Sequence, residues 1–324
     1  MKKFPSLLAV VPLMVAASAT AASTGSLNVE WTSGAPDCAA AAPPPLQVHG
    51  YNADTYILRQ DPCASFEANF LYLLVGKERA LLIDSGDVED AAAMPLAETV
   101  MGLLPVIDDK PMPLLVAHTH GHRDHRRGDV QFESLPGVEV PPVELDALAV
   151  YFGFERWPEG EGEIDLGNRV IDVLPAPGHH PAHLVFHDRE TGLLFTGDFL
   201  LPGRLMVDDA AAYRASAERL ANFVRDREIT HVLGGHVELD AGGGLYPRGA
   251  SHHPNERRLE LAKEDVLALP GHLASFNGFY ASHENYVITN PVRNLMALAA
   301  LVLVVLGLFG WGVRALLRYR RASR

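Results

Sequence analysis

Residues 117–128 read AHTHGHRDHRRG, and this stretch places four side chains that commonly bind metal ions within six positions. They are His120, His122, Asp124 and His125, and they follow an apolar run that predicts a buried strand. In a loop after a strand, side chains two residues apart can point into one cavity, and the next pair can face a second ion. Imidazole and carboxylate ligands suit zinc or iron far better than calcium. A solvated histidine-rich loop, the alternative, seldom carries so regular a pattern, so we predict a transition-metal site.

Three shorter motifs occur downstream, and each follows a predicted strand. They are Pro177-Gly178-His179, Thr196-Gly197-Asp198 and Gly234-Gly235-His236. A glycine beside a ligand lets the backbone turn sharply and leaves room for a metal ion. Each motif alone is ordinary turn chemistry, but their occurrence in series at strand ends indicates a single site.

Apolar runs of strand length alternate with helical patterns between residues 65 and 240. The predicted strands are 69–75, 80–84, 113–117, 169–174, 182–186, 192–196 and 229–233, and the predicted helices are 90–104, 142–152 and 210–227. A further helix is predicted at 256–268. This alternation predicts a layered α/β fold.

The motifs together resemble those of the metallo-β-lactamase superfamily, over about residues 65–240. Their order is an aspartate after an early strand (Asp84), the histidine-rich run, and then His179, Asp198 and His236. The resemblance implies an αββα sandwich with a two-metal site at one edge, between the two sheets. The ligand types and their compact spacing are similar to those of glyoxalase II-like hydrolases and lactonases.

The resemblance also implies a role for each residue of this set. The first metal would be held by His120, His122 and His179, and the second by Asp124, His125 and His236, with Asp198 bridging the two. Asp84 would orient the histidine loop. His183 would pack beside the ligands, in a run PGHHPAH that is similar to PGHTPGH in those hydrolases, with His180 where Thr is usual. The expected cofactor is two Zn²⁺ ions per chain, with iron or manganese as alternatives.

The implied reaction is hydrolysis of an ester, thioester, lactone or amide bond by a hydroxide that the two metal ions share. Asp124 is the predicted catalytic residue, because it would orient the attacking water and pass a proton to the leaving group. The alternatives are an iron-dependent redox enzyme of the same fold, similar to sulfur dioxygenases, a β-lactamase-like amide hydrolase, and an envelope module that uses metal only for structure. Substrate choice is expected to reside in the loops at 207–213 and 238–253.

The two ends of the chain predict export and a membrane anchor. Residues 1–21 combine two lysines with a short apolar stretch and small residues that fit a cleavage site, which is the layout of a secretory signal peptide. An uncleaved N-terminal anchor is the alternative. Residues 295–313 carry no charge and are long enough to span a bilayer, and five arginines follow them. We therefore expect a single-pass protein of the inner membrane, with its catalytic domain in the periplasm and its C-terminus in the cytoplasm.

This organisation divides the chain into six segments. They are a signal peptide (1–21), an N-terminal extension (22–64), a catalytic domain (65–245), a C-terminal extension of the exported part (246–293), a transmembrane helix (294–313) and a basic cytoplasmic tail (314–324). Cys38 and Cys63 lie in the N-terminal extension. An oxidising compartment favours a disulfide between them over two free thiols.

The charge of the chain excludes one class of partner. The 324 residues include 27 basic and 40 acidic ones, which gives a net charge of −13. Residues 22–293 hold all 40 acidic residues and 20 of the basic ones, so this part alone has a net charge of −20. Such a surface argues against a nucleic-acid partner. The expected partners are a small-molecule substrate and, through the C-terminal helix, the membrane.

The other histidines and arginines near the motifs are expected to lie outside the metal shell. We expect His118 to be no ligand and His187 to be structural. Arg126 and Arg127 are expected to pair with surface acids or to reach an anionic substrate. His252 and His253 are expected to be exposed in a loop, with a place in the lining of the site as the alternative.

Overall fold

The computed structural model describes residues 25–107 and 109–323, so the predicted signal peptide at 1–21 lies outside the described residues. The strands are β1 Leu46–Asn52, β2 Thr55–Gln60, β3 Phe70–Val75, β4 Ala80–Ile83, β5 Val106–Ile107, β6 Lys110–Pro111, β7 Leu114–Ala117, β8 Val138–Glu139, β9 Gly162–Asp165, β10 Val170–Pro175, β11 Leu184–Asp188, β12 Leu193–Gly197, β13 Arg204–Met206, β14 His231–Gly234, β15 Glu260–Leu261, β16 Tyr280–Ser282 and β17 Val287–Thr289. The helices are α1 Cys38–Ala41, α2 Leu96–Leu103, α3 Arg123–Arg126, α4 Leu145–Tyr151, α5 Ala210–Arg225, α6 Lys263–Ser275 and α7 Pro291–Ala322, with a 3₁₀ helix at Arg127–Gln131.

Two six-stranded sheets form the centre of the molecule. The strand order is β1-β2-β3-β4-β7-β8 in the first sheet and β15-β14-β12-β11-β10-β9 in the second. Strands β4, β7 and β8 run parallel to one another, as do β12 and β14, whereas the other neighbours are antiparallel. A third, small sheet has the order β13-β17-β16.

Strand β3 shows why these strands are almost wholly apolar. Both faces of its sequence, FLYLLV, are buried. Phe70, Tyr72 and Leu74 lie in the core between the two sheets, whereas Leu71 and Leu73 belong to the core that packs against α2. A strand that is buried on both faces has a continuous apolar run instead of an alternating one.

Helices cover the outer faces of both sheets. Helices α5 and α6 contribute residues such as Leu220 and Leu269 to the core on the outer face of the second sheet. Helix α2 contributes Leu96 and Val100 to the core on the outer face of the first sheet. The layers are therefore helix, sheet, sheet and helix, and the predicted α/β fold is confirmed.

The direction of the strands brings the sequence motifs to one edge of the sandwich. Asp84 follows β4 and the histidine-rich run follows β7, which is parallel to β4 in the first sheet. In the second sheet Asp198 follows β12 and His236 follows its parallel neighbour β14. The turn with His179 follows β10, which runs in the same direction as β12 because each is antiparallel to β11. Carboxyl ends of co-directed strands meet at one edge of a sheet, which is the usual place for a site in such folds.

Some elements differ from the sequence prediction. Strands β1 and β2 were not predicted, because β1 is a half-buried edge strand and β2 contains the buried polar residues Arg59 and Gln60. The helix expected from residue 90 begins at Leu96, directly after Pro95. The helix predicted at 256–268 is wrong in its first half, because Glu260–Leu261 pairs with β14 as β15 and α6 begins only at Lys263.

A disulfide joins Cys38 to Cys63, as the oxidising-compartment argument favoured. It connects α1 to the loop that follows β2. Within the segment before residue 65, β1 and β2 belong to the first sheet, and the disulfide holds α1 close to the end of β2.

Helix α7 is long and apolar enough to cross a membrane, by its length and composition. Its apolar part is not buried against the rest of the described chain. One residue, Asn290, separates the helix from β17, and its side chain accepts a hydrogen bond from the backbone N–H of Arg293. The Asn294 side chain donates to the carbonyl of Phe279 and to Thr289 Oγ1, at 3.1 Å each, so the first turn is attached to the small sheet.

Candidate metal centre

The seven side chains predicted as metal ligands lie together in two groups at this edge. The first group is His120, His122 and His179, and the second is Asp124, His125, Asp198 and His236. Within each group, the atoms that could bind a metal lie within 4.8 Å of one another. Four strand ends contribute to the two groups, although the residues are up to 116 positions apart in sequence.

In the first group, imidazole nitrogens face one another. His122 Nδ1 lies 2.9 Å from His120 Nε2 and 3.1 Å from His179 Nε2. The other nitrogen of His179, Nδ1, donates to the carbonyl of Met206 at 3.1 Å, so its Nε2 carries the lone pair. Lone pairs at such distances repel unless a proton or a cation lies between them.

The second group mixes imidazoles with carboxylates. His125 Nε2 lies 3.2 Å from Asp124 Oδ2 and 3.3 Å from Asp198 Oδ1. His236 Nε2 lies 3.3 Å from the same oxygen of Asp124 and 3.4 Å from the same oxygen of Asp198. The Nδ1 atom of His236 donates to the carbonyl of Glu67 at 2.6 Å, which points Nε2 toward the carboxylates.

Asp198 connects the two groups. Its Oδ1 faces the second group, and its Oδ2 lies 3.6 Å from His179 Nε2 in the first. Oδ1 is buried and has no hydrogen-bond partner among the described residues. A buried carboxylate oxygen without a donor needs a compensating charge, which a cation between the ligands would supply.

Asp84 fixes the shape of the histidine-rich loop. Its Oδ1 accepts from the Thr119 N–H at 2.7 Å, and its Oδ2 accepts from Thr119 Oγ1 at 2.9 Å and from His125 Nδ1 at 2.8 Å. The residue has a φ of +64°, a left-handed conformation that aspartate adopts more readily than most residues. These contacts leave His125 Nε2 directed at the second group.

Gly235 leaves the space that the second group requires. A Cβ atom at this position would lie 2.8 Å from both Asp198 Oδ1 and a ring carbon of His125. Any larger residue would therefore displace a ligand. This gives a physical reason for the glycine beside His236.

Burial and neighbouring histidines favour the neutral form of two imidazoles in the first group. Burial and the adjacent histidines lower the pKa of His120 and of His122 from the ordinary value. Both rings are therefore neutral at pH 7, which is the form that binds a metal ion.

The second group holds protons when no cation is present. Burial opposes protonation of His236, but the carboxylates of Asp198 and Asp124 outweigh it and raise the pKa of His236 to about 10. Burial likewise opposes ionisation of the two carboxylates, yet the facing histidines lower the pKa of both. A bound cation would replace these protons as the partner of the carboxylates.

The donor set of nitrogen and oxygen atoms fits two transition-metal ions. Imidazoles with carboxylates are typical ligands of zinc, iron and manganese, whereas calcium takes oxygen ligands alone. The facing lone pairs of the first group and the unpartnered oxygen of Asp198 both favour cations at these positions.

A cleft of about 460 Å³ opens onto the ligands, and we call it the metal-site cleft. His122, Asp124, Asp198 and His236 line part of it. The rest of its lining comes from β13, from the loop after β14 and from the loop before β3. These residues include Phe66, Arg204, Met206, Tyr246, Arg248 and His253.

Of the six residues just named, Phe66, Arg204 and Met206 lie outside the loops that were expected to select the substrate. Arg204 belongs to a short strand that follows the Asp198 motif, and Phe66 precedes β3. A proline and a glycine directly before Arg204 signal a turn near the site, but its direction depends on pairing with β17, far away in sequence. Tyr246 and Arg248 lie within the loop expected to select the substrate, and they do line the cleft.

His253 corrects one expectation. It was expected to be exposed, but it is buried, its ring lies parallel to that of Tyr246, and its Nδ1 donates to Glu256 Oε1 at 2.9 Å. Glu256 in turn forms a salt bridge of two hydrogen bonds, at 2.5 and 2.6 Å, with the fully buried guanidinium of Arg59 in β2. The loop after β14 is therefore pinned to the first sheet, which a local sequence pattern does not reveal.

The other histidines and arginines discussed from the motifs lie outside both ligand groups. His118 pairs with Asp129 at 2.7 Å, and His187 pairs with Asp172 at 2.9 Å, outside both ligand groups. Arg126 and Arg127 pair with carboxylates near the surface. His183 is buried beside the first group, with its ring parallel to that of His120 at 4.9 Å between centroids, and neither of its nitrogens has a partner among the described residues.

Comparison with known proteins adds independent findings. The sequence model of the metallo-beta-lactamase superfamily matches residues 66–272. Acyl-coenzyme A thioesterase MBLAC2 of Gallus gallus is 29% identical over 249 residues, which cover 64% of this chain and 88% of that protein. Hydroxyacylglutathione hydrolase of Stenotrophomonas maltophilia is 30% identical over 251 residues, which cover 73% of this chain and 88% of that protein. Among solved structures, a metallo-beta-lactamase from Pontibacter korlensis is similar with a TM-score of 0.45 and 18% identity, over 70% of this chain and 99% of that one.

Proposed function

The chain belongs to the metallo-β-lactamase superfamily, and from this premise we propose that it is an exported, membrane-anchored metallohydrolase that cleaves a thioester or a related acyl bond. The observation that carries the proposal is the pair of ligand groups, joined by Asp198 and open to the metal-site cleft. One ion would be held by His120, His122 and His179, the other by Asp124, His125 and His236, and Asp198 would bridge them.

The chain's own residues can supply the proton transfers. When bound, two divalent ions, for which zinc suits the ligands best, lower the pKa of a water molecule and polarise the oxygen of the scissile bond. Asp124 lines the cleft, and its side chain is 22% exposed, compared with 9% for Asp198. As an ionised carboxylate at the cleft, Asp124 would accept a proton from the attacking water and pass it to the leaving group. The water oxygen joins the acyl carbon, the bond from that carbon to sulfur, oxygen or nitrogen breaks, and the proton goes to the leaving atom.

Thioesters are the first substrates to consider. Two similar proteins are named as an acyl-coenzyme A thioesterase and a hydroxyacylglutathione hydrolase. Arg204 and Arg248 line the cleft, whereas residues 22–293 as a whole have a strongly negative net charge. Arg204 is paired with Glu238 at 2.7 Å, whereas Arg248 has no carboxylate within 4.0 Å among the described residues and contacts Met206 Sδ at 3.0 Å. Arg248 is therefore suited to an anionic leaving group.

Export and anchoring form the second half of the proposal. The disulfide between Cys38 and Cys63 is suited to an oxidising compartment. The apolar part of α7 and the arginines after it favour a single span with its C-terminus in the cytoplasm. The catalytic unit, residues 65–245 with β1 and β2, would then face the periplasm, with the span at 294–313 and the basic tail at 314–324.

A substrate panel tests the proposal directly. The full chain in lipid nanodiscs is assayed with thioesters, esters, lactones and β-lactams, before and after a chelator and after the return of zinc. We expect at least one class to be hydrolysed, the chelator to abolish the rate, and zinc to restore it. His122→Ala and Asp124→Asn should each remove the activity, whereas His252→Ala, a half-exposed histidine outside both ligand groups, should retain it.

Two outcomes would contradict the proposal. A hydrolysis rate that does not respond to chelator would remove the metals from the mechanism. Protein purified from its native host with a single iron per chain and uptake of O₂ would support the redox alternative instead.

A further inference from the structure

A second cavity lies beside the metal centre, and we call it the apolar cavity. It has a volume of about 470 Å³, and the side chains of Leu145, Trp157, Pro158, Pro177, Pro181 and Ala212 form most of its surface. This volume lies in the range of pockets that hold small ligands in proteins, about 300–1,000 Å³. The mechanism described above gives this cavity no role.

The apolar cavity and the metal-site cleft approach each other at His180 and His122. The ring of His180 lines the apolar cavity, and its centroid lies 5.0 Å from that of His122, which lines the cleft. His180 Nδ1 accepts a hydrogen bond from the N–H of Ala182 at 3.1 Å, which fixes the orientation of the ring. A group bound in the apolar cavity would therefore end next to the first ligand group.

The apolar cavity is held in shape by the same turn that positions a ligand. Pro177 and Gly178 line it and directly precede His179. The carbonyl of Gly178 accepts from the N–H groups of Asp208 and Asp209, at 3.0 and 2.9 Å. A Cβ atom on Gly178 would lie 2.4 Å from the Cα of Tyr213, so the turn is packed directly against α5. The cavity is thus preformed, which reduces the entropic cost of binding.

The two cavities differ in chemistry on either side of the ligands. The metal-site cleft has charged walls, which include Arg204 and Arg248 as well as Glu67 and Glu238. The apolar cavity has walls of proline, leucine, alanine and tryptophan, with Asp208 and Asp209 at one side. A substrate with a hydrocarbon part and an anionic part, joined at the reacting bond, matches this division.

We propose that the apolar cavity binds the hydrocarbon chain of the substrate's acyl group, so that the acyl carbon lies beside His122 and His180 and the leaving group lies in the metal-site cleft. This inference rests on the proposed function, because it names the substrate class of the same site. Each methylene buried in the cavity increases kcat/KM about fourfold, until the cavity is filled.

Filling the apolar cavity tests the proposal. Ala212 lines it, whereas the preceding residue, Ala211, is exposed on the same helix turn and does not. Ala212→Phe and Ala211→Phe are compared as full chains in nanodiscs, with a series of linear acyl thioesters from acetyl to decanoyl. In the wild type and in Ala211→Phe, kcat/KM should rise with chain length. In Ala212→Phe the decanoyl thioester should lose more than tenfold, while the acetyl thioester stays within twofold.

The outcomes separate this inference from the proposed function. An unchanged dependence on chain length in Ala212→Phe would overturn the inference, and so would an equal loss for all chain lengths in a folded, metal-loaded variant. If the wild type hydrolyses no acyl compound, the proposed function fails, and binding alone decides the inference.

Binding is measured in chelator-treated protein by quenching of Trp157 with a bromine-labelled decanoic acid. A background with Trp31→Phe and Trp311→Phe leaves Trp157 as the one tryptophan of the chain. Saturable quenching that Ala212→Phe abolishes and Ala211→Phe retains would support the inference, and its absence from the background protein would overturn it.

Discussion

Asp198 presents one carboxylate oxygen to each group of ligands, so its charge is shared by two positions. Asparagine in its place keeps the shape but removes the charge. We expect Asp198→Asn to lower the metal content from two ions per chain and to reduce kcat/KM by at least about 100-fold. Asp226→Asn, an exposed carboxylate outside both groups and both cavities, is the matched control and should change neither quantity. Metal analysis after dialysis gives the answer, and full metal content in Asp198→Asn would argue against a bridging role.

The raised pKa of His236 predicts how the stability of the metal-free protein depends on pH. Its pKa is about 10 in the folded chain and near 6.5 in the unfolded chain, so the folded state binds the proton more tightly. The stabilisation is fully present below pH 6.5 and is lost as the pH rises toward 10. We expect the Tm of chelator-treated protein to fall between pH 7 and 10, and metal-loaded protein to fall much less.

The control for this pH dependence is His236→Asn. Without the imidazole, this contribution disappears, so the fall in Tm of the metal-free variant should be smaller than in the metal-free wild type. A metal-free wild type whose Tm is constant or rises over this range would contradict the assignment of protons to the second group.

At the scale of single residues, the sequence predicted the ligand groups but only part of the other residues that line the metal-site cleft. The ligands follow strand ends within one to eight residues, in short motifs of fixed spacing, so local sequence is enough to identify them. Arg204 and His253 reach the cleft only because β13 pairs with β17 and Glu256 pairs with Arg59, and each of these contacts spans more than 80 positions. Local patterns carry no information on such contacts.

Among the elements, the loop after β14 depends most on one contact. Arg59 is fully buried, so removal of its partner Glu256 would leave an unpaired charge in the core. Loss of one member of a buried pair costs about 3–5 kcal/mol. We expect Glu256→Ala to lower the free energy of unfolding by about this amount, and to reduce activity because His253 loses its partner at the cleft.

The exposed pair of Arg156 and Glu159 provides a matched control for that substitution. Exposed ion pairs contribute about 0–1 kcal/mol, so Glu159→Ala should change the unfolding transition little. Thermal unfolding of the three proteins side by side measures both effects. Equal transitions for Glu256→Ala and Glu159→Ala would show that the buried pair does not hold the loop.

Elements were easier to predict where their apolar pattern was continuous. Strands β3, β4 and β7 are buried on both faces and were found within one residue or so at each end. Strand β2 was missed because Arg59 and Gln60 interrupt its apolar run. Their side chains find hydrogen-bond partners only in other elements, Glu256 for Arg59 and Met94 for Gln60. The start of α2 was set by Pro95, a boundary that composition alone placed too early.

For the molecule as a whole, the acidic part at residues 22–293 and the apolar C-terminal helix make opposite contributions to solubility. We expect a chain that ends at Asn290 to remain in solution after cell breakage, because α7 is absent. The full chain should sediment with membranes and need detergent for release. Western blotting of the two fractions checks this, and a full chain found in solution without detergent would argue against the span.

The single residue between β17 and α7 leaves no flexible joint between the catalytic unit and the span. The side chains of Asn290 and Asn294 stiffen that connection through hydrogen bonds to the first turn and to the small sheet. Rotation of the helix in the bilayer therefore turns the metal centre with it. Spanning helices tilt by about 20° on average, and the tilt changes with the thickness of the bilayer. If α7 spans a bilayer, the direction in which the metal-site cleft opens therefore depends in part on the lipids that surround the helix.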